Sequence, residues 1–264
     1  MSEGQILVLD PTGSDPDAEH QALRECGPAT LVDILGMRAS SVSDLALLKQ
    51  LLTSKNVSKD GRAHWPAFTE TVATWPPALW VAVENMFTAY GKDHSRLRRM
   101  VGQRHRPGHH HPADDPQQLA HIREGRCTWQ DVVEETLRHQ PAVKHLPLRY
   151  ARTDIPLPDG QTIKAGEAIL ASYAAANRHP DWHKDADRFD ATRPSMEHLA
   201  FGHGVHFCLG APLARLEVAT ALRLLFERLP DAQLATERTA LKRLRASSAT
   251  DTSVPMRLRP LSSH

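Results

Sequence analysis

Apolar positions spaced three and four residues apart predict that most of the regular structure is helical. One helix is predicted to begin at Ser43 or Asp44, both N-cap residue types, and to carry a row of leucines on one side. A longer helix is predicted over residues 211–229, where apolar side chains recur at helical spacing and Pro230 ends the element. The charged positions predicted to face away from its apolar side are Arg215, Glu217, Arg223, Glu227 and Arg228.

Shorter patterns predict further helices and a small amount of sheet. Residues 17–26 predict a helix that is closed by a Gly-Pro pair. Residues 30–35 predict a strand, and the Asp159-Gly160 pair predicts the turn of a hairpin. Together these patterns predict a fold that is mainly α with a small β region.

The helix before this hairpin has a well-marked start. Thr128 is a good N-cap residue, and Asp131 lies where a capping box needs an acceptor. We predict that this helix extends to residue 138 and that a short helix over residues 117–124 precedes it.

The composition is that of an ordinary globular protein. Of the 264 residues, 41% are hydrophobic and 24% are charged, which suits one large domain or two small ones. The net charge of +1 gives no reason to expect binding to nucleic acid or to an anionic membrane. No apolar run has the length of a transmembrane helix, and the first residues lack the features of a signal peptide. With three cysteines at no metal-site spacing, we expect a cytoplasmic protein.

One cysteine lies in a setting that suits a metal-bearing cofactor. Its segment is Phe201-Gly202-His203-Gly204-Val205-His206-Phe207-Cys208-Leu209-Gly210. The glycines allow close backbone approach, and the helix predicted from residue 211 brings the positive end of its dipole near the sulfur. Thiolate ligation is one of the established ways of holding haem iron. The alternative is a structural cysteine buried in a glycine-rich turn.

This segment resembles the haem-binding loop of the cytochrome P-450 monooxygenases, whose pattern is F-G-x-G-x-H-x-C-x-G followed by x-x-L-A-R. Every fixed position of that pattern is matched between Phe201 and Arg215. The resemblance implies haem b, with iron held by the thiolate of Cys208 and with Gly210 beside the cofactor. It also implies that Phe201 packs near the thiolate and that His206 binds a haem propionate. The implied activity is oxidation of a small organic substrate with O₂ and electrons from a ferredoxin-like partner.

A second group of basic residues fits the same interpretation, a haem-binding site. On a helix, His94 and Arg98 share a face and could both donate hydrogen bonds to one anionic group. Without the cysteine loop, a solvated basic helix face would be the simpler interpretation. The resemblance implies that both residues hold a haem propionate, and that Arg149 is a further propionate-binding arginine. It places Val143 and Leu146 on the substrate side of the haem.

The helix after Thr128 carries the motif E-x-x-R as Glu135 and Arg138. In the resembling family this pair forms a buried network with an arginine from the segment before the haem loop. Arg193 is the predicted third member, and Arg188 is the second choice. An ordinary surface pair between Glu134 and Arg138, four residues apart, is the alternative interpretation.

Residues 102–116 interrupt the helical pattern with a His-, Pro- and Gly-rich joint. It contains His109, His110 and His111, but three adjacent side chains in a loop seldom all reach one metal ion. The joint stands where a P-450 carries a large central block, including the helix that crosses the distal haem face. The usual signature of that helix, A/G-G-x-D/E-T, does not occur in this sequence.

We therefore expect one internally truncated P-450 domain over residues 1–264. Its parts are an N-terminal part over 1–101, the joint over 102–116 and a haem-ligand part over 117–264. The function predicted from the resemblance is that of a haem-thiolate monooxygenase. A non-catalytic haem-binding remnant of such an enzyme is the alternative, favoured by the absent distal motif, and a metal-binding module built on the histidine tract ranks last.

Overall fold

A computed structural model describes residues 6–102, 116–230, 232–235 and 256–257 of the chain. Within these residues, helices surround a six-stranded sheet, as expected for a fold that is mainly α with a small β region. The predicted joint over residues 102–116, including the histidine tract, falls almost wholly outside the described residues. None of the helices in the described ranges is long and apolar enough to cross a membrane.

The helices in the described residues include those predicted from the sequence and several short ones that the patterns did not predict. They are α1 Pro16–Glu25, α2 Leu45–Thr53, α3 Gly61–His64, α4 Phe68–Thr74, α5 Leu79–Ala82, α6 Gly91–Gly102, α7 Pro116–Arg123, α8 Trp129–His139, α9 Tyr173–Asn177 and α10 Ala211–Arg228. The side chain of Asp44 caps α2, and the predicted capping box of Thr128 and Asp131 starts α8. The sequence patterns thus place these helix ends to within a few residues.

The main sheet brings together strands from both ends of the chain. The strands are β1 Leu7–Val8, β2 Ala29–Ile34, β3 Met37–Val42, β4 Val57–Ser58, β5 Leu146–Ala151, β6 Ile155–Pro156, β7 Thr162–Ile163, β8 Ala168–Ala171, β9 Gln233–Leu234 and β10 Met256–Arg257. Six of them form the sheet in the order β1-β2-β3-β8-β5-β4. The predicted Asp159-Gly160 turn joins the separate antiparallel pair β6 and β7.

The strand β3 has no counterpart among the sequence predictions. It pairs antiparallel with β2 after a tight turn in which Leu35 has φ 55° and Gly36 has φ 89°. Gly36 signals that turn, but the returning strand is polar and lacks the β-branched run that marks a strand from sequence. This segment therefore forms a strand because it pairs with β2 and β8.

The prediction that Glu217 faces away from the apolar side of α10 is wrong. Glu217 is buried, whereas Leu216 and Leu224 of the same helix are exposed. Helical spacing alone does not identify the buried side of α10, because apolar residues occur all round this helix. One face of α10 packs on α8, with Leu222 in a cluster that includes Val132 and Val133.

A second cluster lies directly beneath the cysteine loop. It joins α2, β3, β8 and α9, and it includes Leu199, which lies just before the loop. This packing gives the loop a rigid base formed by elements that are far apart in sequence.

Candidate functional site

The cysteine loop presents its thiol at the surface of the described structure. Cys208 lies between a short 3₁₀ turn, Gly204–His206, and the first turn of α10. Its backbone N–H donates to the carbonyl of Phe201 at 2.9 Å, which closes the loop. The side chain is exposed, so the predicted alternative of a buried structural cysteine does not hold. A thiol displayed in this way is accessible to a ligand.

Two glycines of this loop lie close to other groups, and only the first of them is required by packing. Gly204 has φ +71°, and a Cβ there would lie 2.9 Å from Cγ2 of Thr53 and 3.2 Å from the carbonyl oxygen of Leu52. The loop therefore packs against the end of α2 in a way that no side chain permits. A Cβ on Gly210 would lie 3.7 Å from the sulfur of Cys208, so this glycine keeps one side of the thiol uncovered.

Four predicted basic residues gather beside the loop. The rings of His94 and His206 lie 3.9 Å apart, and Nη1 of Arg98 donates to the carbonyl of Phe207 at 2.7 Å. Arg149 enters from β5 and is only 3% exposed, and His94 is 4% exposed. The structure thus brings together residues that lie as much as 112 positions apart in the sequence, from His94 to His206.

A fifth basic residue, Lys59, belongs to this group, although the sequence patterns did not predict it. The antiparallel register of β4 and β5 pairs Ser58 with Tyr150, which continues to Lys59 opposite Arg149. Lys59 is buried, and burial together with Arg149 lowers the pKa of its amine well below the ordinary value. Like charges directly opposite each other in a sheet are destabilising. In the sequence, Lys59 directly follows the β-like pair Val57-Ser58. Only the pairing register of β4 and β5, however, shows that Lys59 lies beside Arg149.

The pKa shifts of both histidines reflect the same crowding of positive groups. Burial, with Arg98 and Lys59, lowers the pKa of His94. Burial, with His94 and the surrounding cations, lowers the pKa of His206 to about 3. Both rings are therefore held neutral by surroundings that disfavour further positive charge.

We call Lys59, His94, Arg98, Arg149 and His206 the cationic cluster, and within the described residues the last four have no counter-ion. Among the residues that the structure describes, none of the ion pairs includes His94, Arg98, Arg149 or His206. Nη1 of Arg149 is buried and has no hydrogen-bond acceptor. A buried charge without a partner is costly. The donor set therefore fits carboxylates supplied by a bound group, as the propionates of a haem would be.

A second charged group, centred on Glu135 and Arg138 of α8, is paired within the chain. Arg138 binds both carboxylate oxygens of Glu135, at 2.6 and 2.8 Å, and both side chains are completely buried. Nε of Arg193 reaches Glu135 at 3.1 Å, and the N–H of Asp190 donates to the same oxygen at 2.7 Å. Arg193 rather than Arg188 is therefore the arginine that contacts Glu135. We call Glu135, Arg138 and Arg193 the buried network.

The alternative interpretation, a surface pair between Glu134 and Arg138, does not hold. Glu134 accepts hydrogen bonds from Nε and Nη2 of Arg215, at 2.6 and 2.9 Å, and from His198 at 3.1 Å. Burial raises the pKa of Glu134, but the bonds from His198 and Arg215 outweigh it and lower that pKa to about 2. The guanidinium of Arg215 also lies 4.7 Å from the ring centre of Phe201. This contact ties α10 to the start of the cysteine loop.

The remaining predicted positions lie at the edge of the site. Phe201 is half-buried, with its ring 6.4 Å from that of Phe207. Val143 is exposed and Leu146 is half-buried at the start of β5. Val143 is thus an apolar side chain that the described residues leave uncovered.

Comparison with known proteins adds an independent result. The family model for Cytochrome P450 matches residues 128–232, which include the buried network and the cysteine loop. A 2-hydroxy-5-methyl-1-naphthoate 7-hydroxylase from Streptomyces carzinostaticus is 29% identical over 380 residues, covering 89% of this chain and 92% of that protein. Because 380 aligned positions exceed the 264 residues of this chain, the alignment crosses a stretch of the relative that has no counterpart here.

Other curated relatives match over a shorter span. The mycinamicin IV hydroxylase/epoxidase of Micromonospora griseorubida is 53% identical over 94 residues, which is 36% of this chain and 23% of that protein. The chain thus matches only about a quarter of that relative's length.

The solved structure of CYP154A1 from Streptomyces coelicolor A3(2) superposes with a TM-score of 0.89 and is 43% identical. The superposition covers 96% of this chain and 100% of that one. The superposition and the family-model match over the cysteine loop both indicate the same family. The chain belongs to the cytochrome P450 family, of the bacterial type.

Proposed function

We propose that the protein is a haem-thiolate monooxygenase that oxidises a small organic substrate. The observation that carries this proposal is the exposed thiol of Cys208 beside the cationic cluster, in which Nη1 of the buried Arg149 has no acceptor among the described residues. Haem b combines the two features that these residues lack, a metal for the thiolate and carboxylates for the cations. Members of the family whose names describe hydroxylases support the reaction class.

Each residue of the site would have a defined task. Cys208 would ligate the iron, and Gly210 would leave room beside the sulfur. His94, Arg98, Arg149 and His206 would hold the propionates, since Arg149 still has a free donor and both rings are neutral donors or acceptors. When bound, haem supplies the activation of O₂. The buried network would fix α8 against the segment that leads into the cysteine loop.

The electron donor is proposed to be a ferredoxin-like protein in the cytoplasm. Arg96 and Arg99 are exposed on α6, the helix that also carries His94 and Arg98. A basic surface next to the ligand loop suits an acidic partner, because complementary charge speeds association.

A non-catalytic haem-binding remnant is the second candidate. It is favoured by the alignment that runs past the length of this chain and by the absence of the distal motif from the sequence. Without that helix, the substrate side of the haem would face water, and controlled oxygen chemistry needs water to be excluded. Such a chain would bind haem through Cys208 and oxidise nothing.

A ferrous–CO difference spectrum of the full chain, purified with haem supplied, tests the shared part of both candidates. We expect a red-shifted Soret band of the thiolate type, which Cys208→Ser abolishes. Cys26→Ser is the matched control, since Cys26 is also exposed but lies at the end of α1. A histidine-type or free-haem spectrum in the unchanged protein would contradict the proposal.

Turnover separates the two candidates. The haem-loaded chain is supplied with a bacterial ferredoxin, its reductase and a panel of aromatic and macrolide compounds under ¹⁸O₂. Incorporation of labelled oxygen supports the monooxygenase. A thiolate spectrum without any labelled product supports the remnant.

A further inference from the structure

A group of three metal-ligand side chains lies outside the haem site, between α1 and the segment that leads into β5. Glu19 and His20 are on α1, and His145 lies just before β5. One ligand atom from each lies within 4.8 Å of the other two, and Oε1 of Glu19 is 3.2 Å from Nε2 of His145. In a tetrahedral zinc site the ligand atoms are roughly 3.4 Å apart, because zinc–nitrogen bonds are about 2.0–2.1 Å long. A small rotation of one ring would complete that arrangement.

Among these three residues, His20 gives the strongest reason to expect a bound ligand. It is only 4% exposed, and it lies on the core-facing side of α1 with Pro16 and Leu23. Neither of its ring nitrogens has a hydrogen-bond partner among the residues that the structure describes. Buried polar groups nearly always have a partner, and an exception calls for a bound water or ion. The orphaned imidazole is thus an observation independent of the spacing of the three residues.

The other two ligands are already held in position. Oε2 of Glu19 accepts from the N–H of Asp10 at 2.8 Å, which leaves Oε1 for a metal. Nδ1 of His145 lies 3.1 Å from the hydroxyl of Ser172, which in turn lies 2.6 Å from that of Ser41. Metal-binding histidines usually make such a second hydrogen bond, which fixes the ring and its tautomer.

Two of the three cationic side chains that act on His20 are arginines balanced by other acids, and the third is Lys144. Arg178 binds Asp17 at 2.5 Å and Asp187 at 2.8 Å. Arg24 also binds Asp187, at 3.3 Å. These pairs reduce the repulsion that the two guanidinium groups would exert on a cation bound at His20.

We propose that Glu19, His20 and His145 form a structural site for a divalent cation of the zinc type. Two imidazole nitrogens and one carboxylate oxygen are a ligand set that zinc accepts, and water can take a fourth position. A small cleft beside His20, lined by Asp17 and Gln140 and also by Lys144 and Arg178, provides space for that water. The bound ion joins α1 to the segment before Arg149, and it raises the stability of the folded chain.

Co²⁺ and Zn²⁺ are the probes for this site. The histidine tract would also bind metal, so the experiment uses the full chain with His109, His110 and His111 replaced by alanine. After treatment with a chelator, Co²⁺ is titrated and its visible absorption is recorded, and Zn²⁺ binding is measured by calorimetry. We expect one ion per chain, tetrahedral-type Co²⁺ bands and a higher melting temperature with Zn²⁺.

Variants at the three positions decide the outcome. His20→Ala and Glu19→Gln are each expected to weaken Zn²⁺ binding at least about tenfold and to remove the thermal shift. Glu19→Gln preserves shape and covers the case in which His20→Ala does not fold. His64→Ala is the control, since His64 packs on Tyr90 instead. The proposal is overturned if the tract-free protein shows no saturable binding, or if its binding is unchanged in both variants.

Discussion

Two groups of buried arginines in this protein differ in what balances their charge. Arg138 donates five hydrogen bonds, two of them to Glu135 and three to backbone carbonyls, so every N–H of its guanidinium is used. Arg149 is almost as deeply buried, but one of its terminal nitrogens has no acceptor. The first group is complete within the chain. Within the residues that the structure describes, the second lacks an anion for Arg149.

The difference separates residues that support the fold from residues that await a ligand. In the buried network, carboxylate and arginines come from α8 and the segment before the cysteine loop, so the network fixes these parts together. In the cationic cluster, four elements contribute basic groups that repel one another. Burial alone would not distinguish the two groups, because Arg138 and Arg149 are both buried.

Breaking the buried network should give the largest effect on stability. Glu135→Gln leaves Arg138 and Arg193 without their buried counter-charge, so we expect the free energy of unfolding to fall by about 3–5 kcal/mol. Urea denaturation of the haem-free chain measures it. Glu227→Gln is the control, because Glu227 forms an exposed pair with Arg223 and its loss should change stability by less than about 1 kcal/mol. If Glu135→Gln and Glu227→Gln lower the free energy of unfolding equally, the buried network adds no more stability than an exposed ion pair, which would contradict the account.

Changing the cationic cluster should affect haem binding far more than stability. Arg149→Met removes a buried charge that has an unused donor, so we expect the haem-free chain to be as stable as before or more stable. Haem affinity should fall roughly 10- to 100-fold, because a charge-assisted hydrogen bond contributes about 1.5–3 kcal/mol. The Soret band reports that affinity in a haem titration.

The control for this change is Arg152→Met. Arg152 is exposed near the same sheet edge, where it donates to the carbonyl of Lys55. Its replacement should leave haem affinity unchanged. If Arg149→Met strongly destabilises the haem-free chain, Arg149 has a structural role and the cluster is not a ligand site.

The ion pair of Glu134 should give the smallest effect, visible as a pH dependence. Its pKa is lowered from an ordinary 4.5 to about 2, so the unfolded chain binds more protons than the folded one between these values. The pair stabilises the folded state above about pH 4.5, and this stabilisation is lost as the pH falls through about 2. We expect Glu134→Gln to lower stability by about 1 kcal/mol at pH 6 and to flatten the acid part of the profile. Unfolding free energies measured from pH 6 to pH 2 test this, and an unchanged slope would contradict it.

Local sequence signals were sufficient for parts of the fold and the site that depend on neighbouring residues. The capping box at Thr128 and the turn at Gly160 depend on short-range geometry, and the structure contains both. The loop around Cys208 is recognisable because its glycines are required by packing at fixed positions, as at Gly204.

Features that depend on tertiary pairing could not be predicted from the sequence. Lys59 joins the cationic cluster only because β4 pairs with β5 in one register. The polar strand β3 forms because two neighbours pair with it, and Glu217 is buried although helical spacing placed it outside. The family resemblance favours Arg193 over Arg188, and the contact of Arg193 with Glu135 agrees with that prediction, although sequence spacing alone does not define the path of the loop.

The most direct test of the central comparison is to measure the affinity of the haem-free chain for haem and for its neutral dimethyl ester. The two ligands offer the same iron to Cys208, but only haem carries carboxylates for the cationic cluster. We predict that the chain binds haem roughly 10-fold or more tightly than the ester, and that Arg149→Met removes most of this preference while Arg152→Met keeps it. Equal affinities for haem and ester in the unchanged chain would contradict the account.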